Sequence, residues 1–114
     1  MGMTIGEKII ARAARVPEVK AGEIHTVELD RLMSNDGTTH HNDLKHPKIA
    51  EKDKLVFIID HNIPAENPKT AEAHRKMRNF AREHDIAFYE GKGVCHQIMV
   101  EDYVCPGELI MGAD

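Results

Sequence analysis

A chain of 114 residues fits one domain, or one lobe of a larger domain, with room for only a modest core. Hydrophobic residues at 41% and charged residues at 30% give a globular balance, and the net charge of −4 is dispersed with no basic cluster, which argues against nucleic acid as a partner. No segment approaches the length that crosses a bilayer, and two cysteines are too few for a disulfide framework, so a cytoplasmic address with reduced thiols and no membrane partner is expected.

Aromatics at 4%, with no Trp, leave Ile, Leu, Val, Met and Ala to build the core. In chain order, Thr4-Ile5-Gly6-Glu7 has capping-box spacing, and Ile5, Ile9 and Ala13 recur at helical intervals. A helix to about Ala14 is predicted, stopped by Pro17. Glu23 to Leu29 alternates apolar and polar residues imperfectly and predicts a half-buried strand. Met33 to Lys45 is polar and carries Asp36-Gly37, which predicts a turn leading into at most a short helix.

Leu55 to Ile59 is a continuous apolar and β-branched run, as expected of a strand covered on both faces. Thr70 to His84 places Ala73, Met77, Phe80 and Ala81 on one stripe and predicts a helix. Ile86 to Tyr89 predicts a short strand, 90–93 a loop, Val94 to Val100 a short helix, and Glu108 to Met111 a final strand. This is βαβ logic. The expected fold class is α/β, a three-layer architecture with a mostly parallel sheet flanked by helices, over a single lobe spanning 1–114.

Asp60-His61 follows the buried strand, at the edge of an open α/β sheet where catalytic groups converge. A carboxylate beside an imidazole fixes its tautomer and poises a proton donor near neutral pH. The competing reading is a histidine satisfied by a backbone carbonyl. Gly91-Lys92-Gly93-Val94-Cys95-His96 is a glycine loop opening a helix, without the pattern of a phosphate-binding loop, so a plain strand-to-helix turn competes there. Eight histidines occur without any zinc-type spacing, so no metal ligands are assigned. The one serine, Ser34, lacks the glycine frame of a nucleophile elbow. Asn35-Asp36-Gly37-Thr38-Thr39 reads either as an Asp-Gly turn or as an amide and hydroxyls offered to a substrate carboxylate.

Taken together, Met3 to Ile9, Met33 to Thr39, Phe57 to His61, Gly93 to Gln97 and Pro106 to Asp114 resemble, in the same order and spacing, the amino-terminal part of the aconitase superfamily. The resemblance is closest to the large subunits of the 3-isopropylmalate dehydratase and homoaconitase type. It implies a hydro-lyase that isomerises a hydroxy-di- or tricarboxylic acid of the 3-isopropylmalate, homocitrate/homoaconitate or citrate type by dehydration and rehydration. A [4Fe-4S] cluster would act as Lewis acid in the full enzyme, with its ligands outside this chain.

Carried over by position, the resemblance makes Asp60 and His61 the pair that protonates the leaving hydroxyl, His96 a second active-site histidine and Asp114 its acid. Asn35, with Asp36 and Thr38, falls where the substrate carboxylate or a bound water is met. Relatives carry Gln or His in place of Asn35, which shortens or alters that contact. Leucine biosynthesis is the implied setting.

The implied partners are the substrate, the remainder of the large subunit and a small subunit. The chain by itself is expected to be an inactive fragment that binds no cofactor and self-associates through uncovered apolar surface. The alternative is a non-catalytic, truncated relative acting as a subunit-interaction module. A small zinc hydrolase using His61, His96 and one acid is a third reading.

Overall fold

A computed structural model of the chain describes residues 2–37 and 48–112. Their order is α1 (Ile5–Ala14), β1 (Arg31–Asn35), a 3-10 turn (Lys52–Lys54), β2 (Leu55–Ile59), α2 (Pro68–Glu83), β3 (Ala87–Glu90), α3 (Cys95–Asp102) and β4 (Ile110–Gly112). The strands form one parallel sheet in the order β3-β2-β1-β4. Met33 of β1 sits opposite both Val56 of β2 and Gly112 of β4.

Two packed layers cover the sheet because side chains alternate across it. On one face Met33, Val56 and Ile58 meet Cys95, Ile98 and Met99 of α3. On the other, Phe57 and Ile59 meet Met77, Phe80 and Ala81 of α2, together with Ile86. Val56, Ile58 and Ile59 are all 0% exposed, and each contributes about 1.5–3 kcal/mol by leaving water. A continuous apolar run is what such a two-sided strand needs, so the three-layer α/β expectation matches the architecture.

The helices form where local chemistry places them. Thr4 and Glu7 complete the capping box of α1, and Arg15 in the left-handed region (φ 58°) closes it before Pro17 is reached. Asn67 caps α2 through the Thr70 amide, with Pro68 at the first helical position. Val94, the N-cap residue of α3, offers no side-chain cap. No helix among the described residues is long and apolar enough to cross a membrane.

Two of the sequence expectations that precede β2 are corrected, the strand over 23–29 wholly and the turn over 33–45 in part: Asp36-Gly37 does turn, and residues 38–45 lie outside the described residues. Residues 23–29 form no strand, because they have no ladder partner among the described residues; their backbone is tied instead by the Glu23 amide to the Lys20 carbonyl at 3.2 Å and the Glu28 amide to the Ala13 carbonyl at 3.0 Å. The strand instead lies at Arg31–Asn35, and its last three residues, Met33 to Asn35, overlap the start of the stretch expected to turn. Its polar residues are tolerated because β2 and β4 satisfy its backbone on both sides, and Met33 and Asn35 face the α3 side. Asp30 holds the entry, accepting from the Leu109 amide at 2.8 Å and from Arg12 of α1 at 2.9 Å.

From β1 the chain winds outward to β2 and β3, then returns across the other face through α3 to place β4 beside β1. Such a reversal of winding opens a crevice at the carboxyl ends of the strands. Asn35-Asp36 and Asp60-His61 both lie at that edge.

Candidate active site

At the carboxyl edge of the sheet, β1 delivers Asp36, β2 delivers Asp60 and His61, and the loop after β3 delivers the first turn of α3 with Cys95 and His96. The Asp60 carboxylate joins two of these pieces. Its Oδ1 lies 2.6 Å from Nδ1 of His61, and its Oδ2 accepts from the Cys95 amide at 2.6 Å. It therefore stands in for the missing side-chain cap of α3, where a negative charge is favoured by the exposed amides of the first turn.

The Asp60 side chain is 7% exposed, and burial pushes its carboxyl upward. The Cys95 amide and the His61 ring outweigh that and hold it below the ordinary carboxylate range. With Asp60 ionised, the bond to Nδ1 is a charge-assisted one in which His61 donates, which assigns Nε2 as the ring atom turned away from the carboxylate. The His61 side chain is 43% exposed, open enough to meet a small molecule.

His96 is exposed at the start of α3, its Nδ1 3.4 Å from the Cys95 Sγ. The two histidines thus flank one buried carboxylate: His61 bonds it directly, and His96 follows the residue whose amide bonds its other oxygen. Cys95 is 1% exposed, and burial, reinforced by Asp60, pushes its thiol up, so it is a packed thiol and not a nucleophile.

Asn35 is 0% exposed, its Oδ1 accepting from the Gly37 amide at 3.0 Å and its Nδ2 reaching the Cys95 Sγ at 3.9 Å. Asp36 is also turned inward, with a side chain 2% exposed. Its Oδ1 accepts from the amides of Asp60 (3.2 Å) and His61 (3.1 Å), and its Oδ2 from that of Asn62 (2.9 Å). Burial raises the Asp36 carboxyl, but those three amides more than compensate and leave it below its usual value. Thr38 and Asp114 lie outside the described residues.

Sequence reasoning passed over His74, which is 5% exposed and has its Nε2 3.3 Å from the Asp36 Oδ2, outside hydrogen-bonding geometry. Its signal was in the helix pattern: His74, Met77 and Ala81 share the buried stripe of α2, where a histidine needs a polar reason to be.

Asp36, Asp60 and His61 bring ligand atoms within 4.8 Å of one another, and His96 is not in that group. Those atoms already serve each other and the backbone. The chain's two cysteines, Cys95 packed inside and Cys105 exposed after α3, do not fit an iron-sulfur cluster, which is held by a set of thiolates.

No protein-family model matches the chain. It is similar over its whole length to the 3-isopropylmalate dehydratase large subunit of Hydrogenobaculum sp., at 39% identity over 123 residues, and to 3-isopropylmalate dehydratase large subunit 1 of Archaeoglobus fulgidus, at 39% over 122. It is also 38% identical, over 98% of its length, to a protein described as "Probable methanogen homoaconitase large subunit" from Methanothermobacter thermautotrophicus. The chain spans 29% of the length of each of these relatives.

Proposed function

Over its whole length this chain is homologous to 3-isopropylmalate dehydratase large subunits, in the aconitase superfamily, and on that premise we propose that it supplies acid-base residues to a hydro-lyase. The substrate is a hydroxy-di- or tricarboxylic acid of the 3-isopropylmalate, homocitrate/homoaconitate or citrate type, which loses and regains water. The supporting observation is the Asp60 carboxylate, buried and ionised, anchored to the α3 amide on one side and to His61 on the other.

Loss of hydroxide from an alcohol is slow because the leaving group is poor, and a proton delivered as the C–O bond breaks removes that obstacle. In this reading His61 carries that proton, held by Asp60 through Nδ1 so that its other ring nitrogen faces the leaving oxygen. When the proton has gone, Asp60 keeps the ring in place for the return step, rehydration. His96, at the amino end of α3, serves as the second imidazole, and Asp114 as its acid. Thr38 belongs to the substrate-carboxylate side of the site, and Asn35, which is 0% exposed, bears on that side through the Gly37 turn that its Oδ1 holds.

The cluster that such an enzyme uses finds no ligand set here, so its thiolates come from other sequence, as do the small subunit and the rest of the large one. The reading is tested by complementation. This chain is mixed with a related large subunit lacking the matching segment and with its small subunit, and formation of the unsaturated acid is followed by ultraviolet absorbance. Turnover that appears with the chain and disappears with His61→Ala supports the assignment; equal turnover with that variant, or turnover by the 114-residue chain alone, overturns it.

A subunit-interaction role without chemistry has one observation in its favour, the outward apolar side chains Ile24 (100% exposed), Ile5 (78%) and Val100 (65%). Complementation that survives loss of His61 would assign the chain to that role.

A further inference from the structure

We propose that Asp36 and His74 form a buried clamp that positions the Asp60-His61 loop, with Asp36 acting on the backbone rather than on a substrate. The inference builds on the reading of His61 as the proton carrier, although the clamp itself is a matter of geometry.

Three consecutive amides, those of Asp60, His61 and Asn62, converge on one carboxylate at 3.2, 3.1 and 2.9 Å. Successive backbone amides aimed at one anion form a fixed concavity, and filling it from within the protein freezes the turn that carries them. The carboxylate follows β1, whereas the amides follow β2, so the clamp ties the ends of two neighbouring strands together. Without it, His61 sits on a turn whose amides have no partner, and its ring loses a defined direction toward the carboxyl edge.

A carboxylate this buried needs opposite charge or further donors, and His74 is placed to give them. His74 is 5% exposed, and its Nε2 stands 3.3 Å from the Asp36 Oδ2 with no hydrogen-bond partner among the described residues. Around it the charged groups are Asp36 after β1, Glu66 in the loop before α2, Glu90 on β3, and Arg75 and Arg78 on α2 itself. Arg75 and Arg78 are engaged by Glu72 and Glu90, so the nearest unmatched donor for Asp36 is His74. His74 Nε2, 3.3 Å from the Asp36 Oδ2 though not aligned for a hydrogen bond, is the group placed to balance that carboxylate, which makes both of them positioning residues for His61.

The test is nuclear magnetic resonance of the 114-residue chain. In the unaltered chain the ring nitrogen spectrum is expected to show His74 with a protonated Nε2; an unprotonated Nε2 overturns the proposal without any variant. In Asp36→Asn and His74→Phe, amide hydrogen exchange at positions 60–62 is expected to accelerate at least tenfold, while Ile58 in β2 and Val104 after α3 keep their rates. The titration midpoint of the His61 ring should move in the same variants. His74→Gln, which keeps a donor, is expected to restore most of the protection. Unchanged exchange at 60–62, or acceleration of all amides in parallel, overturns the clamp. A clamp that passes this test while complementation ignores His61 leaves the positioning intact and removes only the proton-transfer role.

Discussion

Replacing Asp60 with Ala removes, at one stroke, the partner of the His61 ring and the cap of α3. Both bonds are 2.6 Å long and go to a carboxylate that is 7% exposed, so solvent screens them little. A hydrogen bond to an ionised group is worth about 1.5–3 kcal/mol net, and the favourable placement at a helix start adds about 0.3–1 kcal/mol. Against this, deleting the side chain relieves the desolvation of a buried charge. A net loss of about 2–3 kcal/mol remains.

Urea unfolding followed by far-ultraviolet circular dichroism reads this directly, and with a slope of about 1–3 kcal/mol/M the midpoint should fall by about 0.7–3 M. The sign with pH follows from the lowered Asp60 carboxyl. A group depressed on folding stabilises fully above its unfolded value, taken as 3.8, and loses that contribution as acidification carries the pH down through the folded value. The gap between the two proteins should therefore be complete at neutral pH and shrink below 3.8. A gap under about 1 kcal/mol at neutral pH, or one that persists undiminished in acid, would refute the anchoring role.

Ile58→Ala removes a side chain that is 0% exposed between β2 and α3 and should lower unfolding free energy by about 2–5 kcal/mol in the same urea assay. At Gly112 an added Cβ would stand 2.7 Å from the Met33 Cε, and Met33 is 2% exposed, so Gly112→Ala should cost about 1–3 kcal/mol through forced repacking where β4 meets β1. Gly91→Ala meets a left-handed backbone (φ 65°) and the Ile63 Cδ1 at 3.3 Å, and a thermal melt should register a loss of about 1 kcal/mol or more. Thiol counting with a disulfide reagent should find one fast-reacting cysteine, the exposed Cys105, in the folded chain and both only after denaturation, because Cys95 is packed under α3 with its thiol pushed up.

The elements from Leu55 onward were legible because each announces itself locally: an apolar run for β2, an amphipathic stripe for α2, glycines before α3. The first helix was equally plain, since Thr4 and Glu7 form its capping box within a single turn. The first strand was not. Arg31-Leu32-Met33-Ser34-Asn35 has neither an apolar run nor clear alternation, and it is a central strand only because β2 and β4, distant in sequence, supply its hydrogen bonds. Residues 23–29 alternate more convincingly and join no ladder among the described residues.

The site divides along the same line. The sequence by itself determined that an acid and an imidazole emerge together after β2 and that a second imidazole opens α3, because these are neighbours along the chain. Only the tertiary structure decided that one carboxylate serves both elements, that Asn35 and Asp36 turn inward, and that His74 closes on Asp36. Those relations join residues 24 to 60 positions apart, through contacts whose partners come together only after the strands are aligned.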